Sequence, residues 1–398
     1  MEDLSAVILL GGGASSRFAP FQEKNLFSFL GKSLVEHQVA RYKKKGLGKI
    51  IVVTNQENFS QIKKIARKED KKIEVVIQRG EGMAGAVLTG LSFLKESQPV
   101  LIANMNDLFD ESFFENFSKT LKQKGKINLL IGYYCPSYFP GGYLILKGKR
   151  VLGVIEKPGE GKEPSKYIKL VFDYFPEAKK LAFFLKNAKS SKDDVYEVAL
   201  SNMMAKKEVF LMLEHRGVWQ TLKYPWHILG VQEYFLTTIK RNIAKDVQIA
   251  AGAKIIGPVI LEKGVRVFEN AIVRGPAFIG SGTIVGNGVL IRESLIGTNC
   301  VVGYNTEIAR SYVGEGCWFH SNYIGDSVLG NNISFGAGAI TANLRLDEQE
   351  IKVEVKGEKI NTGRKKLGSI IGDNVRIGIN VCLCPGEKLA KVVLLVRE

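Results

Sequence analysis

Along the first hundred residues, short apolar runs alternate with stretches whose apolar residues recur at helical spacing. The runs Ala6–Leu10, Lys49–Val53, Ile73–Ile77 and Val100–Ala103 are rich in Val, Ile and Leu, as strands covered on both faces are. Between them, Ser33–Lys45, Glu57–Asp70 and Met83–Lys95 carry helix-period patterns. This alternation predicts an α/β domain with a largely parallel, doubly wound, Rossmann-like sheet. Ligands of such sheets bind beyond the carboxyl ends of the strands. That singles out the loop after the first run, Gly11-Gly12-Gly13-Ala14-Ser15-Ser16-Arg17.

The second half follows a different beat. An apolar residue followed by Gly recurs at Ile279-Gly280, Val285-Gly286, Ile296-Gly297, Val302-Gly303, Val313-Gly314, Ile324-Gly325, Leu329-Gly330 and Phe335-Gly336, then at Ile371-Gly372 and Ile377-Gly378. The unit is about six residues, with some hexads shortened by one, which suits one flat face of a parallel β-helix. A Gly-rich sandwich with hairpins every 8–12 residues would not stay locked to multiples near six. The pattern places a domain over 1–231, a linker helix over 232–245 ending in Lys240-Arg241-Asn242, and a repeat domain over 246–398. The charged stretch Leu344–Leu367 interrupts the repeat and is expected to project as a hairpin or arm. The run Val392–Val396 is expected to be a strand capping the coils, unless another subunit covers them.

Composition narrows the picture. The 398 residues carry a net charge of +16 and are 45% apolar, enough for two cores. The lysine runs lie at helix ends, as solvated faces do, and lack interleaved aromatics, so polyanionic small substrates fit better than nucleic acid. Five scattered cysteines without metal-ligand spacing favour a reducing, cytoplasmic setting without disulfides. No secretory leader or membrane-length apolar stretch is apparent, so no membrane partner is expected.

Arg17 closes the glycine loop and Lys24 follows seven residues later. Amides, a guanidinium and an ammonium at one strand end suit a triphosphate. The loop lacks the Gly-Lys-Ser/Thr of a Walker motif.

The stretch LLGGGASSRFAPFQEKNLFSFLGKSLVEHQ resembles the opening signature of sugar-1-phosphate nucleotidylyltransferases, whose nucleotide domain is of the GT-A type. Further segments are similar in order, and the likeness covers the first 230 residues. It implies that Gly11, Gly12 and Gly13 line the nucleotide and that Gln78 and Gly82 read the base. It also implies that Asp107 holds Mg²⁺, that Gly142 and Glu156 contact the sugar, and that Lys157 holds its phosphate. By the same resemblance Arg17 faces the leaving pyrophosphate and Lys24 the α-phosphate. Tyr196-Glu197 and the segment from Trp219 to Trp226 resemble the part that closes the domain. Departures stand at Ser15, at Glu23, at Lys169-Leu170-Val171, and at Thr221, where relatives have a second metal-binding Asp.

The coils resemble the left-handed β-helix of hexapeptide acyltransferases. WFHSNYIGDSVLGNNISFGAGAITANLRLD is similar to the acetyltransferase half of the bifunctional enzymes making UDP-N-acetylglucosamine, the archaeal type most of all. This implies His320 as the base toward glucosamine-1-phosphate, Arg292 and Tyr323 on its phosphate, and Asn343 on its sugar. Acetyl-CoA is expected near Ala337, and a homotrimer is expected because such sites form between subunits. Ala309 stands in place of a Lys, with Arg310 beside it; Ser334 stands in place of an Asn. The coils such relatives carry past residue 385 give way to KLAKVVLLVRE.

The first expectation is therefore nucleotidyl transfer from UTP or dTTP to glucose-1-phosphate or N-acetylglucosamine-1-phosphate. The alternatives are an enzyme that also acetylates glucosamine-1-phosphate, and a non-catalytic relative that binds a nucleotide sugar and regulates a partner.

Overall fold

The structure, a computed structural model, describes residues 6–95, 98–390 and 394–395. The chain divides into two compact units. One comprises the residues up to Ala14 with Leu34–Trp219; the other comprises Ser15–Ser33 with the residues from Gln220 onward. The segment Ser15–Ser33 thus falls with the coils rather than with the sheet it follows in sequence.

The first unit is built on a nine-stranded sheet of β1 (Ala6–Leu10), β2 (Lys49–Thr54), β3 (Glu74–Ile77), β4 (Val100–Asn104), β5 (Asn128–Tyr134), β6 (Gly142–Lys147), β7 (Arg150–Glu156), β8 (Tyr167–Phe175) and β9 (Phe210–His215). Its order is β3-β2-β1-β4-β8-β5-β9-β7-β6. The first four strands are parallel, as their apolar runs predict. From β8 onward the sheet is mixed: β8 runs antiparallel to β4 and β5, and β6–β7 is a hairpin. The cause is local, because a short turn through Gly148 (φ 60°) leaves no room for a crossover helix.

Helices α1 (Leu34–Lys44), α2 (Phe59–Glu69), α3 (Gly82–Leu91), α4 (Glu111–Lys124), α5 (Ala178–Asn187) and α6 (Val195–Ala205) complete this unit. Gly90 of α3 lies so close to β1 that an added Cβ would sit 2.5 Å from Ile8. Phe113, Phe114 and Phe117 of α4 form a buried edge-to-face cluster with Phe109 and Phe172. Each such ring contributes about 1.5–3 kcal/mol by leaving water.

In the second unit, α7 (His227–Leu236) lies earlier than the linker helix expected over 232–245, and Asn242–Ile243 is already a coil strand. The helix buries Ile228, Leu229, Val231, Phe235 and Leu236. The coils form a left-handed parallel β-helix of three sheets with eight, eight and seven strands, termed faces A, B and C in chain order. Each coil places one inward residue per face; Ile279, Ile296, Val313 and Leu329 stack on face A, and Val285, Val302 and Phe319 on face B.

The Gly beats of the sequence follow inward residues of faces A and B, apart from Ile324-Gly325 on face C. Several corners take left-handed backbone at Asn: Asn270, Asn299, Asn305, Asn332, Asn374 and Asn380, the non-Gly residue that tolerates it well. Coils lose a residue at the corner from face C to face A, where Glu293, Arg310 and Asp326 adopt the same conformation.

The insert after Leu344 forms an antiparallel hairpin, Lys352–Val355 with Glu358–Asn361. It folds back rather than projecting freely: Ile351 and Val353 pack at Gly386, and Lys388 Nζ donates to the Glu354 carbonyl. The excursion leaves the ladder undisturbed, since Val328–Leu329 pairs directly with Ile370–Ile371. Of the run expected at Val392–Val396, Leu394–Leu395 is a strand paired with Arg376–Ile377; Val392, Val393 and Val396 lie outside the described residues. No helix among the described residues is long and apolar enough to cross a membrane.

Candidate functional sites

The glycine loop leaves the carboxyl end of β1 in a conformation fixed by two asparagines. Asn58 Nδ2 donates to the Gly11 carbonyl at 3.0 Å and Asn55 Nδ2 to that of Gly12 at 3.3 Å. Each asparagine also accepts from the other's backbone N–H. Gly12 has no room for a side chain, as a Cβ would lie 3.0 Å from both Gln78 Oε1 and the Thr54 carbonyl carbon; Gly13 faces open space. Gln78 in turn donates through Nε2 to the carbonyls of Gly80 and Gly82, both at 3.0 Å. The loop and Gln78, far apart in sequence, are therefore brought together. Asn55 and Asn58 escape the sequence reading; the signal is an Asn pair three apart after a strand, the pattern of a side chain competing for backbone.

Asp107 sits past the end of β4, whose Asn104 is the register partner of Leu10 in β1. Its side chain is buried and accepts from Asn104 Nδ2 at 3.1 Å. Buried Gln38 donates to the carbonyls of Met105 and Asp107, which fixes the turn. The glycine loop and Asp107 thus leave neighbouring strands at the same edge of one sheet. Among the described residues no group of three or more His, Cys, Asp or Glu is gathered as a metal cage.

A third group lies on β6, β7 and β8. A Cβ on Gly142 would sit 3.0 Å from Glu156 Oε2 and 3.9 Å from Lys169 Cβ. Lys157 takes a left-handed backbone (φ 45°) and pairs with Glu156 at 3.3 Å. Glu197 of α6 faces this group; burial pushes its carboxyl up to about 6, with Glu156 and Asp173 adding to the rise and Lys169 opposing it.

In the second unit, Arg17 is exposed in a turn closed by Phe18 N–H on the Ser15 carbonyl, and Lys24 opens a single turn of 3-10 helix. The Thr221 carbonyl meets His227 Nδ1 at 2.9 Å, and burial lowers the His227 imidazole to about 4.

On the coils, Tyr323, Asn343, Asp326 and Arg310 form one connected cluster. Asn343 Nδ2 donates to Tyr323 Oη at 3.3 Å and to Asp326 Oδ2 at 2.5 Å. Arg310 grips Asp326 through two bonds of 2.8 and 2.7 Å. Arg292 is paired with Glu307, the register neighbour of Tyr323. His320 is exposed and follows the inward Phe319, a position that is Gly303 in the coil before and Gly336 in the coil after. Its break in the glycine beat was visible in the sequence as a missed step. Ala337 follows Gly336 at that corner, its carbonyl accepting from Asn380 N–H.

An α/β unit with a phosphate-type loop, joined to acyltransferase-type coils, defines a two-part transferase. Residues 6–222 match the family described as Nucleotidyl transferase. The chain is 31% identical over 401 residues to the bifunctional sugar-1-phosphate nucleotidylyltransferase/acetyltransferase of Sulfurisphaera tokodaii, covering 96% of this chain and 93% of the relative. It is 29% identical over 399 residues to the bifunctional protein GlmU of Methanococcus vannielii, covering 96% and 91%. The chain belongs to the nucleotidyl transferase family, in the line of bifunctional sugar-1-phosphate nucleotidylyltransferase/acetyltransferases.

Proposed function

We propose that this protein transfers a nucleotidyl group from UTP or dTTP to glucose-1-phosphate or N-acetylglucosamine-1-phosphate, releasing pyrophosphate. The observation that carries this is the pinned glycine loop and buried Asp107 at the ends of neighbouring strands. In this reading the sugar phosphate attacks the α-phosphorus in line, and the protein's work is positioning and charge neutralisation. Gly11–Gly13 line the nucleotide, Gln78 and Gly82 read the base, Lys24 neutralises the α-phosphate, and Arg17 draws off pyrophosphate. Gly142 and Glu156 receive the sugar, and Lys157 its phosphate. One carboxylate with substrate phosphates suits Mg²⁺, which keeps several waters; Asp107 would hold it, and it would supply charge neutralisation. Pyrophosphate release across a panel of both triphosphates and both sugar phosphates tests the proposal, and silence with every pair would end it.

A second activity is favoured by the His320 position and the Tyr323–Asn343 cluster. We infer that His320, as neutral imidazole, takes the proton from the amine of glucosamine-1-phosphate while acetyl-CoA lies near Ala337. Arg292, Tyr323 and Asn343 receive the acceptor, and a homotrimer completes the site. Acetyl-CoA consumption that depends on glucosamine-1-phosphate is the test; consumption unaffected by His320→Ala would remove His320 from the role.

A further inference from the structure

The outward residues of a β-helix ordinarily meet water, and on face B they do: Arg266, Trp318 and Arg376 are exposed. On face A the middle of the corresponding row, Phe278, Leu295, Tyr312, Val328 and Ile370, is buried throughout, between half-buried Ile260 and Lys388. Within the same compact unit, α7 and the segment Ser15–Ser33 supply cover. Phe29 stacks on Phe235 of α7 at 5.2 Å. Tyr312 sits between Phe27 and Phe29, ring centroids 5.5 and 5.8 Å away, and its hydroxyl donates to the Ser28 carbonyl at 3.0 Å.

The segment follows the coils along their axis. Gly31 abuts Glu262 two coils into the helix, Ser28 meets Tyr312 three coils later, and Pro20 abuts Gly372 two coils beyond that. At about 4.8 Å per coil this is a track of roughly 24 Å. The segment carries Lys24 within this track and Arg17 three residues before Pro20. The anchoring rings flank Lys24 and follow Arg17: Phe18, Phe21 and Phe27 pack on one another, and Phe27 N–H donates to the Lys24 carbonyl.

We propose that the β-helix is the template on which the phosphate-binding segment is held, with Tyr312 as its principal positioning residue. This rests on the nucleotidyl-transfer reading given above, and it makes the coils part of the first activity independently of any acetyl transfer. Tyr312 touches no reacting atom; it fixes the backbone that carries Lys24.

The test uses the full chain with Tyr312→Ala, Tyr312→Phe and, as control, Arg266→Ala on the exposed face. Displacing a positioned group costs on the order of tenfold to a hundredfold in rate. Tyr312→Ala is expected to lose that much kcat/KM, mostly as a raised KM for the triphosphate, with coil unfolding retained. Tyr312→Phe, which keeps the ring, should lose about threefold, consistent with one neutral hydrogen bond, and Arg266→Ala nothing. Tryptic cleavage at Arg17 and Lys24 gives a second readout independent of turnover, since it reports local opening of the segment. It should quicken by about tenfold in Tyr312→Ala, and if that variant does not fold, more modestly in Tyr312→Phe. Unchanged cleavage in the folded Tyr312 variants would overturn the proposal. A wild-type chain without turnover but with faster cleavage in the variants would support the template and reject the nucleotidyl-transfer reading instead.

Discussion

Lys169 Nζ lies 2.6 Å from Asp173 Oδ2, four residues along the same strand, with both side chains almost fully buried. Such i,i+4 spacing pairs charges on helices; on β8 it is made by the irregularity between Leu170 and Tyr174. Tyr196 donates to the same oxygen at 2.8 Å. Burial raises the Asp173 carboxyl against the pull of Lys169 and the Tyr196 hydroxyl.

Removing the cation should therefore be severe. Lys169→Met strands a buried carboxylate and is expected to cost about 3–5 kcal/mol at neutral pH. The loss should shrink as pH falls, because the folded protein then binds a proton at Asp173 more tightly than the unfolded chain. Lys169→Met with Asp173→Asn should recover most of it. Urea unfolding at pH 7.5 and 5.5 measures both; equal losses at the two pH values would contradict the pair's assigned role.

Glu197 gives a second pH signature. Its folded carboxyl is raised to about 6, so the native state binds more protons than the unfolded chain between roughly 4.5 and 6. The favourable contribution is full below the unfolded value and is lost as pH rises through about 6. Stability at pH 5 relative to pH 7 should exceed that of Glu197→Gln by about 1 kcal/mol, and parallel profiles for the two proteins would refute it.

The two loop glycines should behave differently. Gly12→Ala drives a methyl into Gln78 and the Thr54 backbone, an overpacking that costs about 1–3 kcal/mol. Gly13→Ala meets open space and should leave the melting temperature in place. Thermal denaturation of the two variants decides the point.

His320 is exposed and holds no packing role. Its replacement by Ala should lower acetyl transfer by about 10²–10⁴-fold, the usual worth of a general base, and leave pyrophosphate release unchanged. Lys24→Ala should do the reverse. A loss of both activities in either variant would argue against two separate sites.

What could be read in advance depended on whether a signal was local. The parallel strands through Val100–Asn104 announce themselves by continuous apolar runs, and the coils by a residue-plus-Gly beat, each within a few residues. The Asn55–Asn58 pair is a local mark of a turn, but not of what it holds, because the glycine-loop carbonyls it binds lie 43 and 47 positions away. The apolar outer row of face A recurs only once per coil, from Phe278 to Leu295 to Tyr312. A six-residue window averages it away. The helix at His227–Leu236 begins earlier than the linker expected over 232–245, its Phe235 meeting Phe29, which packs on Tyr312 of that row.

The pairing of Val328–Leu329 with Ile370–Ile371 has an evolutionary corollary. Everything between Asn343 and Gly368 is spliced in at a corner without shifting any strand that follows. A solenoid punctuated this way can exchange the ornament at that corner for another of different length and leave its spine untouched. It is the natural cassette for grafting new recognition onto this scaffold.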